Sequence, residues 1–289
     1  MSLAAEVPTA PGEPTSARSW EPSAAWADRV AAGASAVTVA AMIATPLLPQ
    51  RGAGRRLLSS VVVGGMFVTS AANAARRWGI ARSGAAAGLI AVTTAIVERI
   101  GTRTGLPFGR YGYTDALRPQ VGHVPVIVPL AWFAMGLPSR EAAHAALGPA
   151  STPGRRLALG SAAMTAWDLF LDPQMVGEGY WAWARRGTYR GIPLSNFLGW
   201  FATGLGIMAI FETLLPTGDD ADGGRDDGTG TSGVSDADGR LVGHYAYVAA
   251  MQTLGFARFF RDPVVAVVGG AGMVPIAAAA VRNTIGARQ

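Results

Sequence analysis

The sequence predicts an all-α, polytopic integral membrane protein, a bundle of seven or eight transmembrane helices. Three observations carry this. Only 15% of the 289 residues are charged and 50% are hydrophobic, against about 25% charged in an ordinary soluble domain. Mean hydropathy is +0.27. Charge-free apolar runs recur along the chain, most of them near the roughly 20 residues a helix needs to cross the hydrocarbon core. The runs are too long and continuous for the alternating strands of a β-barrel.

Taken in order, residues 1–26 are rich in Pro, Ala and Ser and read as a disordered tail, with no basic opening segment of a signal peptide. Apolar runs follow at 30–50, 57–75 and 83–97. The segment 98–118, ERIGTRTGLPFGRYGYTDALR, breaks the pattern with Gly, Pro and aromatics. Another run spans 119–137, and a shorter one at 157–167 ends at Asp168. The segment 173–200 is again dense in Gly, Pro, Trp and Tyr, and both dense segments read as loops or re-entrant pieces capping one end of the bundle. Runs at 191–211, 241–257 and 263–281 complete the set, with the Gly- and Asp-rich segment 217–240 expected to be a flexible loop. That loop fails as a calcium site, because Gly224 and Arg225 stand where the pattern needs an acidic or amide ligand and the turn glycine. The expected organisation is one transmembrane domain over 27–285, multi-pass in the cell membrane, with no internal repeat.

All 24 basic residues are arginine. They lie in short connections between the runs, where they face lipid headgroups, so the net charge of +5 is not a nucleic-acid signal. With the N-terminus inside, they divide twelve to twelve between the two sides of an eight-span chain, leaving the orientation open. Cysteine is absent, which excludes disulfides and thiolate chemistry. His123, His144 and His244 are scattered and form no ligand pattern, so no metal site is expected.

The chemistry concentrates in TAWDLFLDP, 165–173. Asp168 and Asp172 stand at i and i+4, on one face of a helix. Carboxyl groups inside a membrane mark functional sites. Asp168 has no capping role to explain it. Asp172-Pro173 is also an ordinary helix start, Asp as N-cap and Pro at the first position, and Asp262-Pro263 at the last span has that form too. Glu98 closes the run before Arg99 and Arg103, either as an interfacial ion-pair partner or as a third acid of the site. DLFLD also fits the D-x-x-x-D of an intramembrane Mg-dependent polyprenyl transferase, whose second acidic motif is missing here. A proton-coupled transporter would use intramembrane acids, yet it expects inverted repeats, which are absent.

The block Glu98-x-x-Gly101, GLPFGRYGYTDAL (105–117) and HVPVIVPLAW (123–132), followed by WDLFLDPQMV (167–176), YWAW (180–183) and GTYRGIPLSNFLGW (187–200), closely resembles the bacterial and archaeal carotenoid hydratase (CruF) family. The resemblance is strong over about 98–216 and rests on hydropathy elsewhere. It implies addition of water across a terminal isoprenoid C=C of a linear carotenoid end group, giving a tertiary alcohol, with no cofactor. The partners it implies are a carotenoid from the bilayer and membrane lipids.

The residues suit that reaction. Two acids on one apolar face can split roles, one protonated to donate to the alkene, the other ionised to take a proton from water. Trp167, Trp181, Trp183, Tyr111 and Tyr113 are candidates to stabilise a carbocation with their π-faces, or to anchor the membrane interface. Asn196 can hold the attacking water or cap the helix that follows. Glu98 and the Asp pair close the third and fifth spans, which run the same way. Their ends should therefore meet at one membrane face, roofed by the aromatic segments, with Arg99, Arg103 or Arg110 available to neutralise one acid.

Overall fold

A computed structural model describes residues 24–217 and 237–287. Its elements are α1 (Ala24–Ala44), a 3-10 turn (Thr45–Leu47), α2 (Ala53–Thr104), β1 (Tyr111–Tyr113), β2 (Gln120–Val121), β3 (Val124–Pro125), α3 (Ile127–Leu147), a second 3-10 turn (Gly148–Ala150), α4 (Pro153–Glu178), β4 (Trp181–Trp183), α5 (Leu194–Leu214), α6 (Gly239–Arg258) and α7 (Pro263–Gly286). The protein is an all-α helical bundle of membrane type. Four helices, α1, α2, α5 and α7, are long and apolar enough to cross a membrane by length and composition. The tail expected over 1–26 and the loop expected over 217–240 lie almost wholly outside the described residues; at their edges, helix is already present at Ala24 and Gly239.

The 52 residues of α2 are two arms, 53–78 and 80–104, separated by Gly79 at φ 79°, ψ 159°. Glycine reaches this conformation without steric cost. Unbroken, the helix would be about 78 Å long. Its two ends nevertheless meet one end of α4: Arg55 pairs with Glu178 at 2.6 Å, and Glu98 is bonded by Tyr111 and Tyr113 of β1, which pairs with β4 just beyond α4. The middle of α2 reaches the opposite end of the bundle, where Arg77 meets Glu141 and Arg76 meets Asp238. The chain therefore reverses at Gly79, and the runs expected at 57–75 and 83–97 are separate, oppositely directed arms. The bundle has a strand-bearing end and a far end.

Three expected boundaries are corrected. The run at 119–137 is a helix only from Ile127, because 120–125 forms the β2–β3 hairpin, and it continues to Leu147. The continuation carries Arg140 and Glu141, both fully buried. They pair with each other at 2.8 Å and with charges on other helices: Arg140 bonds Glu212 at 2.9 Å, Arg77 bonds Glu141 at 3.2 Å, and Arg156 bonds Glu212 at 2.6 Å. Residues 98–104, expected as loop, are the last turns of α2, ending at the left-handed cap Gly105. The run ending at Asp168 is not interrupted: α4 passes through both aspartates and Pro173 to Glu178.

α4 is bounded by recognisable caps. Thr152 accepts from the Arg155 N–H with Pro153 following. At the other end Gly179, at φ 75°, gives a Schellman-type stop, with Tyr180 N–H bonding Met175 O at 2.9 Å. Asp262 caps α7 by accepting from Val265 N–H at 3.2 Å, as its sequence implies.

Candidate active site

The loops that follow α2 and α4 meet as an antiparallel pair, Tyr111 opposite Trp183 and Tyr113 opposite Trp181, with Gly112 opposite Ala182 between them. Side chains alternate across a strand, so all four aromatics share one face. Cross-strand ring centroids lie 5.8 Å apart for Tyr111–Trp183 and 5.6 Å for Tyr113–Trp181. This face roofs a cavity of about 350 Å³. On the α5 side, Gly199 lets the Pro107–Phe108 backbone come so close that an added Cβ would sit 2.9 Å from Pro107 O.

Glu98, Asp168 and Asp172 are all buried and belong to one cluster, in which Glu98 interacts electrostatically with both aspartates. Glu98 and Asp172 line the cavity; Asp168 lies behind Asp172 and does not reach it. The two aspartates face each other across one amide nitrogen, Asn196 Nδ2.

Each acid is bonded by neutral groups. Glu98 Oε2 accepts from the Tyr111 hydroxyl and, at 2.7 Å, from the Tyr113 hydroxyl; its Oε1 accepts from Trp132 Nε1 at 3.3 Å. No arginine pairs with it among the described residues, which corrects the expectation of an interfacial ion pair or of neutralisation by Arg99, Arg103 or Arg110. Asp172 Oδ1 accepts from Trp181 Nε1 at 3.0 Å. The Asn196 amide donates to Asp168 Oδ2 at 2.9 Å and to Asp172 Oδ2 at 2.5 Å. Asp168 Oδ1 accepts from no donor among the described residues.

Two readings left open by the sequence close here. Asp172 is not a helix cap, since α4 continues past it. Asn196 is not the cap of α5 either, because Pro193 holds that position, and its amide ties the aspartate pair together. The hydroxyl of Tyr113 is shifted well above its ordinary range, first by burial and then by the neighbouring Glu98. It stays protonated and donates to Glu98.

Trp167, Trp181, Trp183, Tyr111 and Tyr113 all line the cavity. Two further tryptophans were not singled out by sequence. Trp132 and Trp200 stack at 4.0 Å with 20° between their planes, and Trp167 meets Trp200 edge-on at 6.2 Å. Both close motif blocks, HVPVIVPLAW and PLSNFLGW, and that was the available signal. Among the described residues no group of three or more His, Cys, Asp or Glu is arranged to hold a metal ion.

No solved structure matches the chain. Bisanhydrobacterioruberin hydratase of Haloarcula japonica is 34% identical over 119 residues, which is 40% of this chain and 40% of that protein. The chain thus aligns with well under half the length of that relative. The family model described as carotenoid biosynthesis protein matches residues 56–229 and so takes in every residue of the acid cluster and its aromatic roof. With more than half of its length matched, the chain belongs to the carotenoid biosynthesis protein family.

Proposed function

We propose that the protein hydrates a terminal C=C of a linear carotenoid end group, producing a tertiary alcohol. The observation that carries this is an aromatic-walled cavity with two carboxyl groups on its surface, a third directly behind, and no arginine paired to any of them among the described residues. The similarity to a protein named as a hydratase supports the same reading.

Asp172 and Asp168, joined by one amide and buried among apolar side chains, hold a proton between them, and Asp172 delivers it to the less substituted alkene carbon. The π-electrons form the new C–H bond, leaving a tertiary carbocation on the neighbouring carbon. Trp and Tyr faces around the cavity stabilise that charge. A water molecule forms the C–O bond from its lone pair, and Glu98 takes its proton. Glu98 suits this role because both of its oxygens already accept hydrogen bonds, an arrangement made for the carboxylate. Return of the proton to the aspartate pair completes a cycle whose net change is one added water. No step requires a cofactor, so chelation with EDTA leaves turnover unchanged.

The test is pigment analysis of a lycopene-producing host that expresses the chain. A more polar pigment heavier by one water supports hydration. A product heavier by an isoprenoid unit would instead make the protein a prenyl transferase.

A further inference from the structure

Most residues lining the cavity are buried or half-buried. The exposed ones are Ile43, Leu47, Leu254 and Phe259, between 55 and 70% exposed. They form two lips. Ile43 and Leu47 belong to the end of α1 and its 3-10 turn; Leu254 and Phe259 belong to the end of α6 and the residue after it.

These two helices both wall the cavity without packing against each other: α1 packs on α2, and α6 on α7 and α3. At the far end they are tied, because Asp28 of α1 pairs with Arg240 of α6. The result is a cleft closed at the far end and open beside the acids. Above it the strand-bearing end is shut. Arg55 is fixed by Glu178, Leu48 O and Pro46 O, and its guanidinium lies over the Phe260 ring at 5.7 Å. The cleft therefore opens sideways, between apolar lips.

The cavity's volume of about 350 Å³ lies at the small end of the range for ordinary small-molecule sites. It accommodates one end of a long isoprenoid and not its whole length. We propose that the cleft between α1 and α6 is a lateral portal, in which the apolar chain of the substrate lies while its end group occupies the cavity. The identity of the chain as a carotenoid rests on the hydratase reading; the portal itself rests on the lips and the gap.

The absence of cysteine makes the test clean. Leu47→Cys and Leu254→Cys are each modified with a bulky, charged methanethiosulfonate and later released with a reductant. Val267→Cys, exposed on α7 and away from the cavity, serves as control. Each variant is compared with itself before and after modification, in lipid nanodiscs given a linear carotenoid. Quenching of tryptophan fluorescence by the polyene reports binding, and hydrated product reports turnover. Modification at either lip should slow both by roughly tenfold or more through blocked association, and reduction should restore them, with the control unmoved. Unaltered quenching in the modified lip variants overturns the portal. Absence of hydrated product from the unmodified chain would count against the hydratase reading alone, since quenching still decides the portal.

Discussion

The Tyr189 hydroxyl donates to the Leu169 carbonyl at 2.8 Å, the carbonyl that Pro173 leaves without a helical partner. Proline has no N–H to give to the residue four positions earlier. The same repair occurs in α3, where Pro138 frees Ala134 O and Ser70 Oγ donates to it at 2.7 Å. The first repair lets α4 run on through Asp172, which keeps both aspartates on one helix face. Tyr189→Phe should therefore lower stability by about 1 kcal/mol, read as an earlier thermal unfolding in detergent. An unchanged unfolding curve would show that the carbonyl needs no partner.

Asp172→Asn leaves the cavity's shape intact and removes the group that delivers the proton. Turnover should fall by on the order of 10²–10⁴. Asp168→Asn should cost nearly as much, since Asp172 then has no partner with which to hold a proton, although Asp168 never touches substrate. Both variants should accumulate in the membrane and unfold like the parent. Near-normal product from well-folded Asp168→Asn would remove it from the mechanism.

Glu212 accepts from both Arg140 and Arg156 at the far end of the bundle. Glu212→Gln removes the carboxylate that both guanidinium groups share, although Arg140 keeps Glu141 and the Leu215 carbonyl; breaking a buried pair costs up to roughly 3–5 kcal/mol. Thermal stability should drop well below that of Asp168→Asn, while whatever protein stays folded retains its turnover. A stable, inactive Glu212→Gln would tie this network to the chemistry.

Deleting 219–235 should leave activity intact, because loop-closure entropy changes slowly with length. Extending the deletion through Asp238 should not be tolerated. Asp238 caps α6 at the Arg240 N–H (2.9 Å), pairs with Arg76, and donates its own N–H to Glu141 at 2.6 Å. Membrane accumulation of the two deletions separates the loop expected from sequence from the cap.

The helical class was legible because lipid-facing runs exclude charge, and each expected run contains a helical arm. The roof was legible as well: Gly and Pro interrupt the helices there, and the parallel directions of the arms that carry Glu98 and the aspartates bring the loops after them together. What stayed hidden depends on partners distant in sequence. The apolar run at 119–137 stops short of the charged second half of α3, whose counter-charges come from Glu212 and Arg77 on other helices. Pro173 looked like a helix start because Tyr189, which compensates for it, lies beyond the end of the helix. Asn196 read as a cap or a water ligand, and no local pattern shows that its two amide hydrogens are divided between two aspartates.

The central claim is that this acid cluster adds water to an alkene. The most direct measurement gives purified protein a linear carotenoid in oxygen-18-labelled water and compares it with Asp172→Asn. The account predicts a tertiary alcohol carrying the label, formed by the parent and almost absent from the variant. Unlabelled product, or equal labelled product from the variant, would contradict it.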